Sequence, residues 1–151
     1  MNVFIRNAKD SDAAYIVSCL KKLAEFEKLE DVCNITPEAL LKIMHEENGL
    51  SVSIAEADGK PVGIMTYYFY KIATFSGKRV MYIEDIFIEE NFRRNGIGSI
   101  FFDKAKKLCA EKNCSRLEWK CLDWNSNARR FYEKIGGKVS SDEWLTYTIE
   151  M

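Results

Sequence analysis

The sequence is poor in the residues that build several common kinds of site. It has 151 residues, only two prolines and one histidine, His45, and its five cysteines form no Cys-x-x-Cys pair. An odd set of cysteines without metal-ligand spacing supports neither a zinc centre nor a disulfide framework, so we expect reduced, buried thiols and no metal. The scarcity of proline argues against disordered linkers, and the length fits a single domain over residues 1–151.

Long apolar segments are also absent. No stretch approaches the roughly 18–20 apolar residues that a membrane-spanning helix requires. Arg6 interrupts the apolar beginning of the chain too early for a secretory signal peptide. These features predict a cytoplasmic protein that does not contact a membrane.

The charges are nearly balanced but unevenly placed. A net charge of −1 argues against a general nucleic-acid-binding protein. Residues 25–47 carry mainly Asp and Glu, whereas residues 93–138 carry mainly Lys and Arg. An acidic and a basic region would suit a cationic and a polyanionic ligand respectively, although solvated helix faces of accidental sign explain the same pattern.

Hydrophobic periodicity and capping residues predict an α/β protein in the order β-α-α-β-β-β-α-β-α-β. The expected fold is a mixed, mostly antiparallel central sheet with helices on both faces. Strict alternation along the fourth strand would put Glu84 and Asp85 on opposite faces unless a bulge intervenes. The apolar run at residues 67–70 indicates either a central strand or part of a dimer interface. The predicted strands span residues 3–5, 52–57, 62–70, 80–88, 117–121 and 145–149, and the predicted helices follow residues 10–12, 36, 98 and 125–127.

The most informative stretch joins the fourth strand to its helix, at residues 93–99, Arg-Arg-Asn-Gly-Ile-Gly-Ser. A Gly-x-Gly turn lets backbone N–H groups approach a ligand, and the following helix directs its positive dipole end to the same point. A P-loop would need a Lys after Gly98, and a dinucleotide fingerprint would need a third Gly where Phe101 stands. A phosphate or pyrophosphate ligand is therefore expected, with Glu84 and Asp85 a few residues upstream.

The pattern Arg-x-x-Gly-x-Gly at residues 93–98 resembles the pyrophosphate-binding motif of the GNAT family of acetyl-CoA-dependent N-acetyltransferases. The predicted element order resembles the GNAT fold over essentially the whole chain. Residues 23–30, 67–69, 82–88, 94–99 and 124–132 are most similar to the diamine and polyamine group, of the spermidine/spermine N1- and thialysine Nε-acetyltransferase type. The sequence departs from that group at Arg94, where those relatives usually have glycine, and at Phe75, where they often have tryptophan.

The resemblance implies acetyl transfer from acetyl-CoA to a primary amine of a small cationic di- or polyamine or a lysine-like substrate. A carboxylate must accept the proton of the ammonium, and Glu84, directly or through water, is the expected general base. The resemblance implies Tyr132 as general acid and a homodimer. Candidate acetyl-CoA contacts are Ile86, Phe87, Ile88, Arg93, Arg94, Asn95, Gly96, Ile97, Gly98, Ser99, Asn125, Ala128 and Tyr132. Candidate substrate contacts are Glu27, Glu30, Glu84, Asp85, Trp119 and Asp142.

Other interpretations remain open on the sequence alone. Glu84 and Asn125 have purely structural explanations, as a hydrogen-bond acceptor and a helix cap, and Tyr132 has one as a packing residue. The acceptor amine could belong to a peptide or protein instead of a small molecule. A non-catalytic sensor of acyl-CoA is the alternative outside the enzymes.

Overall fold

The computed structural model describes residues 1–140 and 144–151. The described chain divides into two compact units, residues 1–120 and residues 121–151. The first unit contains β1 (Val3–Asn7), α1 (Ala13–Phe26), α2 (Pro37–His45), β2 (Ser51–Ala57), β3 (Lys60–Ala73), β4 (Lys78–Ile88), α3 (Ile97–Glu111) and β5 (Arg116–Trp119). The second unit contains α4 (Ser126–Lys134).

Local sequence accounts for the element boundaries. The Thr36 hydroxyl accepts a hydrogen bond from the Ala39 N–H at 3.1 Å and Pro37 occupies the first turn, so both features start α2 as predicted. Asp58 and Gly59 both have positive φ, which is the conformation of a two-residue hairpin turn between β2 and β3.

The strands form one sheet in the order β1-β2-β3-β4-β5. Among the described strands, only β5 runs parallel to its neighbour, β4, and α3 supplies the crossover that a parallel pair needs. Ile16 of α1 and Leu40 of α2 pack with Ile54, Ile64 and Phe87 of the sheet in one buried cluster. The helix α3 contacts β1, β4 and β5, and its buried residues lie outside that cluster, on the other face. The predicted fold class is therefore confirmed.

The predicted closing strand is wrong for the residues that the structure describes. Leu145, Tyr147 and Ile149 are 75%, 87% and 87% exposed and belong to no strand. Alternating apolar residues favour a strand, but a strand forms only against a hydrogen-bonded neighbour, and the order of the described sheet ends at β5.

Cys19, Cys33, Cys109 and Cys114 are free thiols, as expected. Only Cys19 is buried, and the prediction of buried thiols fails most clearly for Cys121, which is exposed after the end of β5. Within the described ranges, no group of three His, Cys, Asp or Glu side chains is arranged to hold a metal ion. No helix of the described chain is both long enough and apolar enough to cross a membrane.

Candidate active site

One edge of β4 has no neighbouring strand along the residues that the sequence predicts to contact the cosubstrate. The parallel strand β5 pairs with β4 only from Val80 to Ile83. Between Glu84 and Ile88, β4 has β3 as its sole strand partner in the described sheet. Backbone groups on the outer side of this stretch can therefore hydrogen-bond an extended ligand in the manner of an added strand.

A β-bulge at Glu84 changes which side chains share a face. The register joins Thr66 to Asp85 and Tyr67 to Ile83, so Glu84 is an extra residue in β4. Beyond the bulge, strict alternation no longer holds. The expectation that Glu84 and Asp85 lie on opposite faces is corrected, because the bulge that it allowed for is present.

Both carboxylates contact even-numbered residues of β3 on the same face. The Thr66 hydroxyl donates to Asp85 Oδ2 at 2.6 Å, and the Tyr68 hydroxyl donates to Glu84 Oε2 at 2.6 Å. Thr66 and Tyr68 are two residues apart in one strand, so they point the same way. This is also the face covered by α1, and Glu27, at the end of that helix, acts electrostatically on Asp85. We call Glu27, Glu84 and Asp85 the acidic cluster.

Two members of the acidic cluster, Asp85 and Glu27, are partly desolvated, whereas Glu84 is exposed. Burial raises the pKa of Asp85 to about 6, against the opposing effect of the Thr66 hydrogen bond and with help from the charges of Glu84 and Glu27. Burial also raises the pKa of Glu27. No Lys, Arg or His of the described chain forms an ion pair with any of the three carboxylates. The acidic cluster can therefore bind a cationic group of a ligand.

The turn before α3 has the geometry that the glycine pattern predicted. Gly96 caps the helix with φ of +78°, and a Cβ placed there would meet no atom within 4 Å, so the space in front of it is open. The first helical hydrogen bond runs from the Ile100 N–H to the Gly96 carbonyl at 3.1 Å. The N–H groups of Ile97, Gly98 and Ser99 precede it, and such groups at a helix N-terminus bind anions.

The side chains of the turn are partly engaged with the protein itself. Arg93 Nε donates to the Ile88 carbonyl at 2.9 Å, and its guanidinium lies over the Phe87 ring. Asn95 Nδ2 donates to the carbonyls of Phe92 and Arg93 at 3.1 and 3.0 Å. Asn95 therefore holds the turn together with its side chain.

Arg94 is exposed and has φ of +62°. Residues with a Cβ are strained in this left-handed region. Glycine, which the resemblance led us to expect here, would adopt this conformation freely, so Arg94 carries a backbone strain that glycine would avoid.

The second unit carries three of the predicted contacts on α4. The Asn125 side chain caps this helix by accepting from the Ala128 N–H at 3.3 Å, which is the structural role that the sequence left open. Tyr132 is half-buried, and its ring lies 5.6 Å from that of Phe131.

Two further predicted substrate residues have other neighbours in the structure. Trp119 pairs in register with Ile83 and packs against Phe102 of α3, with ring centroids 4.9 Å apart, on the opposite face of the sheet. Glu30 is exposed and lines an open pocket of about 310 Å³ with Lys21, Glu25 and Cys33. Asp142 lies outside the described residues.

Sequence reasoning missed the hydrogen-bond donors of the site. Thr66 is fully buried and Tyr68 is half-buried, and each fixes one carboxylate. The apolar run at residues 67–70 identified the strand, which is central in the sheet. The pairing of its residues with β4 depends on a register that the sequence does not show.

An open strand edge that leads to a helix N-terminus is suited to an extended, phosphate-bearing molecule. A profile of the "Acetyltransferase (GNAT) family" matches residues 18–137. The chain therefore belongs to the GNAT family and is an acetyl-CoA-dependent N-acetyltransferase.

Similar proteins agree with this assignment. The thialysine N-epsilon-acetyltransferase of Bos taurus is 33% identical over 98% of this chain and 92% of that protein. The spermidine/spermine N(1)-acetyltransferase-like protein 1 of Homo sapiens is 27% identical over 92% of this chain, but the match spans only 21% of that protein. A possible acetyltransferase from Clostridium difficile 630 has a TM-score of 0.81 at 20% identity, covering 99% and 100% of the two chains, which shows the fold alone.

The first unit fits the donor that GNAT acetyltransferases use, acetyl-CoA. The open edge of β4 suits the extended pantetheine arm, and the turn at Gly96 suits the pyrophosphate. The carbonyl of Ile88 already accepts one hydrogen bond from Arg93, and its second lone pair can accept another from a ligand.

Proposed function

We propose that this enzyme acetylates a primary amine of a small di- or polyamine or of a lysine-like substrate. The main support for the proposal is the acidic cluster, which has no cationic partner in the described chain. Two of its members, Glu84 and Asp85, are the first residues of β4 beyond the stretch that pairs with β5. The full-length similarity to thialysine N-epsilon-acetyltransferase supports a small acceptor of lysine type.

The acceptor must lose a proton before it reacts. An alkyl amine has a pKa of about 10.4, so it arrives as an ammonium ion that the carboxylates attract. Glu84, acting through water, is the general base that the sequence favours. Asp85 is a second candidate, because its pKa of about 6 is closer to neutral pH than that of an ordinary carboxyl group.

Acetyl-CoA, when bound, supplies a thioester whose carbonyl carbon reacts with the neutral amine. In our proposal, β4 residues 86–88 orient the pantetheine arm and residues 93–99 hold the phosphates. Asn125 and Ala128 assist at the start of α4. Tyr132 donates a proton to the departing thiolate, and we expect Tyr132→Phe to lower turnover far more than acetyl-CoA affinity.

Two alternatives make different predictions. A peptide or protein acceptor would give the highest kcat/KM with peptides, and a sensor would bind acetyl-CoA without consuming it. The test is thiol release from acetyl-CoA with 1,4-diaminobutane, spermidine, thialysine and a lysine-containing peptide. Fastest release with a small amine supports the proposal, whereas binding without release for every amine supports the sensor.

We further propose that residues 1–151 act as one acetyltransferase domain, because the family profile continues across the boundary between the two units at residue 120. A homodimer, a cytoplasmic location and the absence of nucleic-acid and metal partners stay predictions. Equilibrium ultracentrifugation tests the first of these directly.

A further inference from the structure

A group of tyrosines adjoins the acidic cluster on the same face of the sheet. Tyr68 and Tyr82 are directly opposite each other in the β3–β4 register, with ring centroids 5.5 Å apart. Tyr70 completes the group, with its ring centroid 4.9 Å from that of Tyr68 and 6.0 Å from that of Tyr82. We call these three residues the tyrosine group.

The tyrosine group is open to solvent on one side. Tyr82 is buried at 9% exposure, Tyr68 is half-buried, and Tyr70 is 57% exposed. A large aromatic side chain left this exposed beside two others offers a ring face to a ligand. Burial, followed by the charges of nearby groups including Glu84, raises the pKa of Tyr82 to about 12, so its ring stays a neutral phenol at neutral pH.

The charges along this face differ from one end to the other. Glu118 pairs in register with Tyr82, and its carboxylate already binds Arg116 at 2.6 Å and Lys71 at 3.6 Å. Glu84, at the other end, is bound only by the Tyr68 hydroxyl and has no ion pair in the described chain. A cation that enters the face therefore finds an unpaired carboxylate next to aromatic rings at Glu84, and a neutralised carboxylate at Glu118.

We propose that the tyrosine group and Glu84 form a subsite for a second positive charge on the acceptor amine. In this arrangement Asp85, the second candidate base, accepts the proton of the reacting amine. Aromatic rings attract ammonium ions within about 6 Å of the ring centroid, and a carboxylate beside them adds an ion pair. This subsite selects acceptors that carry two cationic groups over monoamines. The inference deepens the proposed function and rests on it, since it concerns which amine the same site accepts.

The test compares kcat/KM for 1,4-diaminobutane with that for butylamine, which has the same chain length and a single charge. Tyr70→Leu removes the exposed ring and should lower kcat/KM for the diamine about 3- to 20-fold, with less than a twofold change for butylamine. Tyr70→Phe keeps the ring and should restore most of the diamine preference. Phe4→Leu, an exchange of a 46% exposed aromatic residue on β1, is the matched control and should change neither value.

Binding of 1,4-diaminobutane to the wild type and to Tyr70→Leu, measured by calorimetry, distinguishes a failure of this inference from a failure of the proposed function. Diamine binding that Tyr70→Leu weakens supports the subsite even if another amine proves to be the acetyl acceptor. Equal losses of kcat/KM for both amines, or unchanged diamine binding in Tyr70→Leu, would overturn the subsite while acetylation of diamines still upholds the function. Wild-type protein that binds no diamine would overturn the subsite as well.

Discussion

The carboxylates of Asp12, which is buried, and Asp85, which is half-buried, both lie close to the sheet, but their surroundings are opposite. Asp12 accepts two hydrogen bonds from the Arg6 guanidinium, at 2.8 and 3.0 Å, and one from the Lys9 N–H at 2.7 Å. The hydrogen bond to Arg6 is the largest cause that lowers the pKa of Asp12, whereas burial raises that of Asp85. Asp12 is satisfied within the protein and stabilises the fold, and Asp85 lacks a cation that a substrate can supply.

The largest effect should come from neutralising the two carboxylates of β4 together. We expect Glu84→Gln combined with Asp85→Asn to lower kcat/KM by about 10²- to 10⁴-fold, because both candidate bases are lost. Thiol release at neutral pH measures it, and circular dichroism checks that the variant is folded. Full activity in this double variant would remove both residues from the proton transfer.

Asp12→Asn should instead cost stability. We expect a loss on the order of 1–3 kcal/mol in the free energy of unfolding at pH 7, because Arg6 loses the two charge-assisted hydrogen bonds to Asp12 and keeps only Glu56 as an anionic partner. The pKa of Asp12 is lower in the folded protein, so its contribution is complete above its ordinary pKa and is lost as the pH falls through the lower, folded value. Urea denaturation at pH 7 and at pH 3 measures this, and activity per folded molecule should stay within a factor of two.

Asp85→Asn should increase the free energy of unfolding in the same urea experiment, whereas Asp12→Asn should decrease it. Because the folded pKa of Asp85 is raised, its contribution to stability is present at low pH and is lost as the pH rises through about 6. At pH 8 the variant should therefore be more stable than the wild type, by on the order of 1–3 kcal/mol, and the gain should shrink towards pH 4. A variant that is less stable than the wild type at pH 8 would show that Asp85 has a stabilising partner.

The smallest effect should come from Thr66→Val, which removes one hydrogen bond to Asp85 without changing the volume of the side chain. The Thr66 hydroxyl lowers the pKa of Asp85, so its loss should raise that pKa above 6. If Asp85 is the general base, the acidic limb of the kcat/KM profile should move up by about half to one pH unit. A limb that does not move would favour Glu84 as the base.

Much of the fold follows from local sequence. The cap at Thr36, the hairpin turn at Asp58-Gly59 and the glycine turn at Gly96 each have a short-range cause, and each was predicted. Local patterns also placed the carboxylates a few residues upstream of the Gly-x-Gly turn, and the resemblance to the GNAT family then implied the reaction.

The features that could not be predicted from the sequence depend on interactions between strands. The bulge at Glu84 is a property of the pairing with β3, so alternation within β4 alone gave the wrong faces. The same cause hid the roles of Thr66 and Tyr68, whose partners are 19 and 16 residues away along the chain. The exposed alternation at Leu145, Tyr147 and Ile149 shows that a strand pattern without a strand partner does not make a strand.

The central claim is that Asp85 is held without a cationic partner until the substrate brings one. Carbon-13 NMR of the Asp85 carboxyl group, titrated with and without saturating 1,4-diaminobutane, tests it most directly. We predict a midpoint near pH 6 in the free protein and a clear decrease when the diamine binds, since a nearby positive charge favours the ionised form. A midpoint near pH 4 that the diamine leaves unchanged would contradict the account.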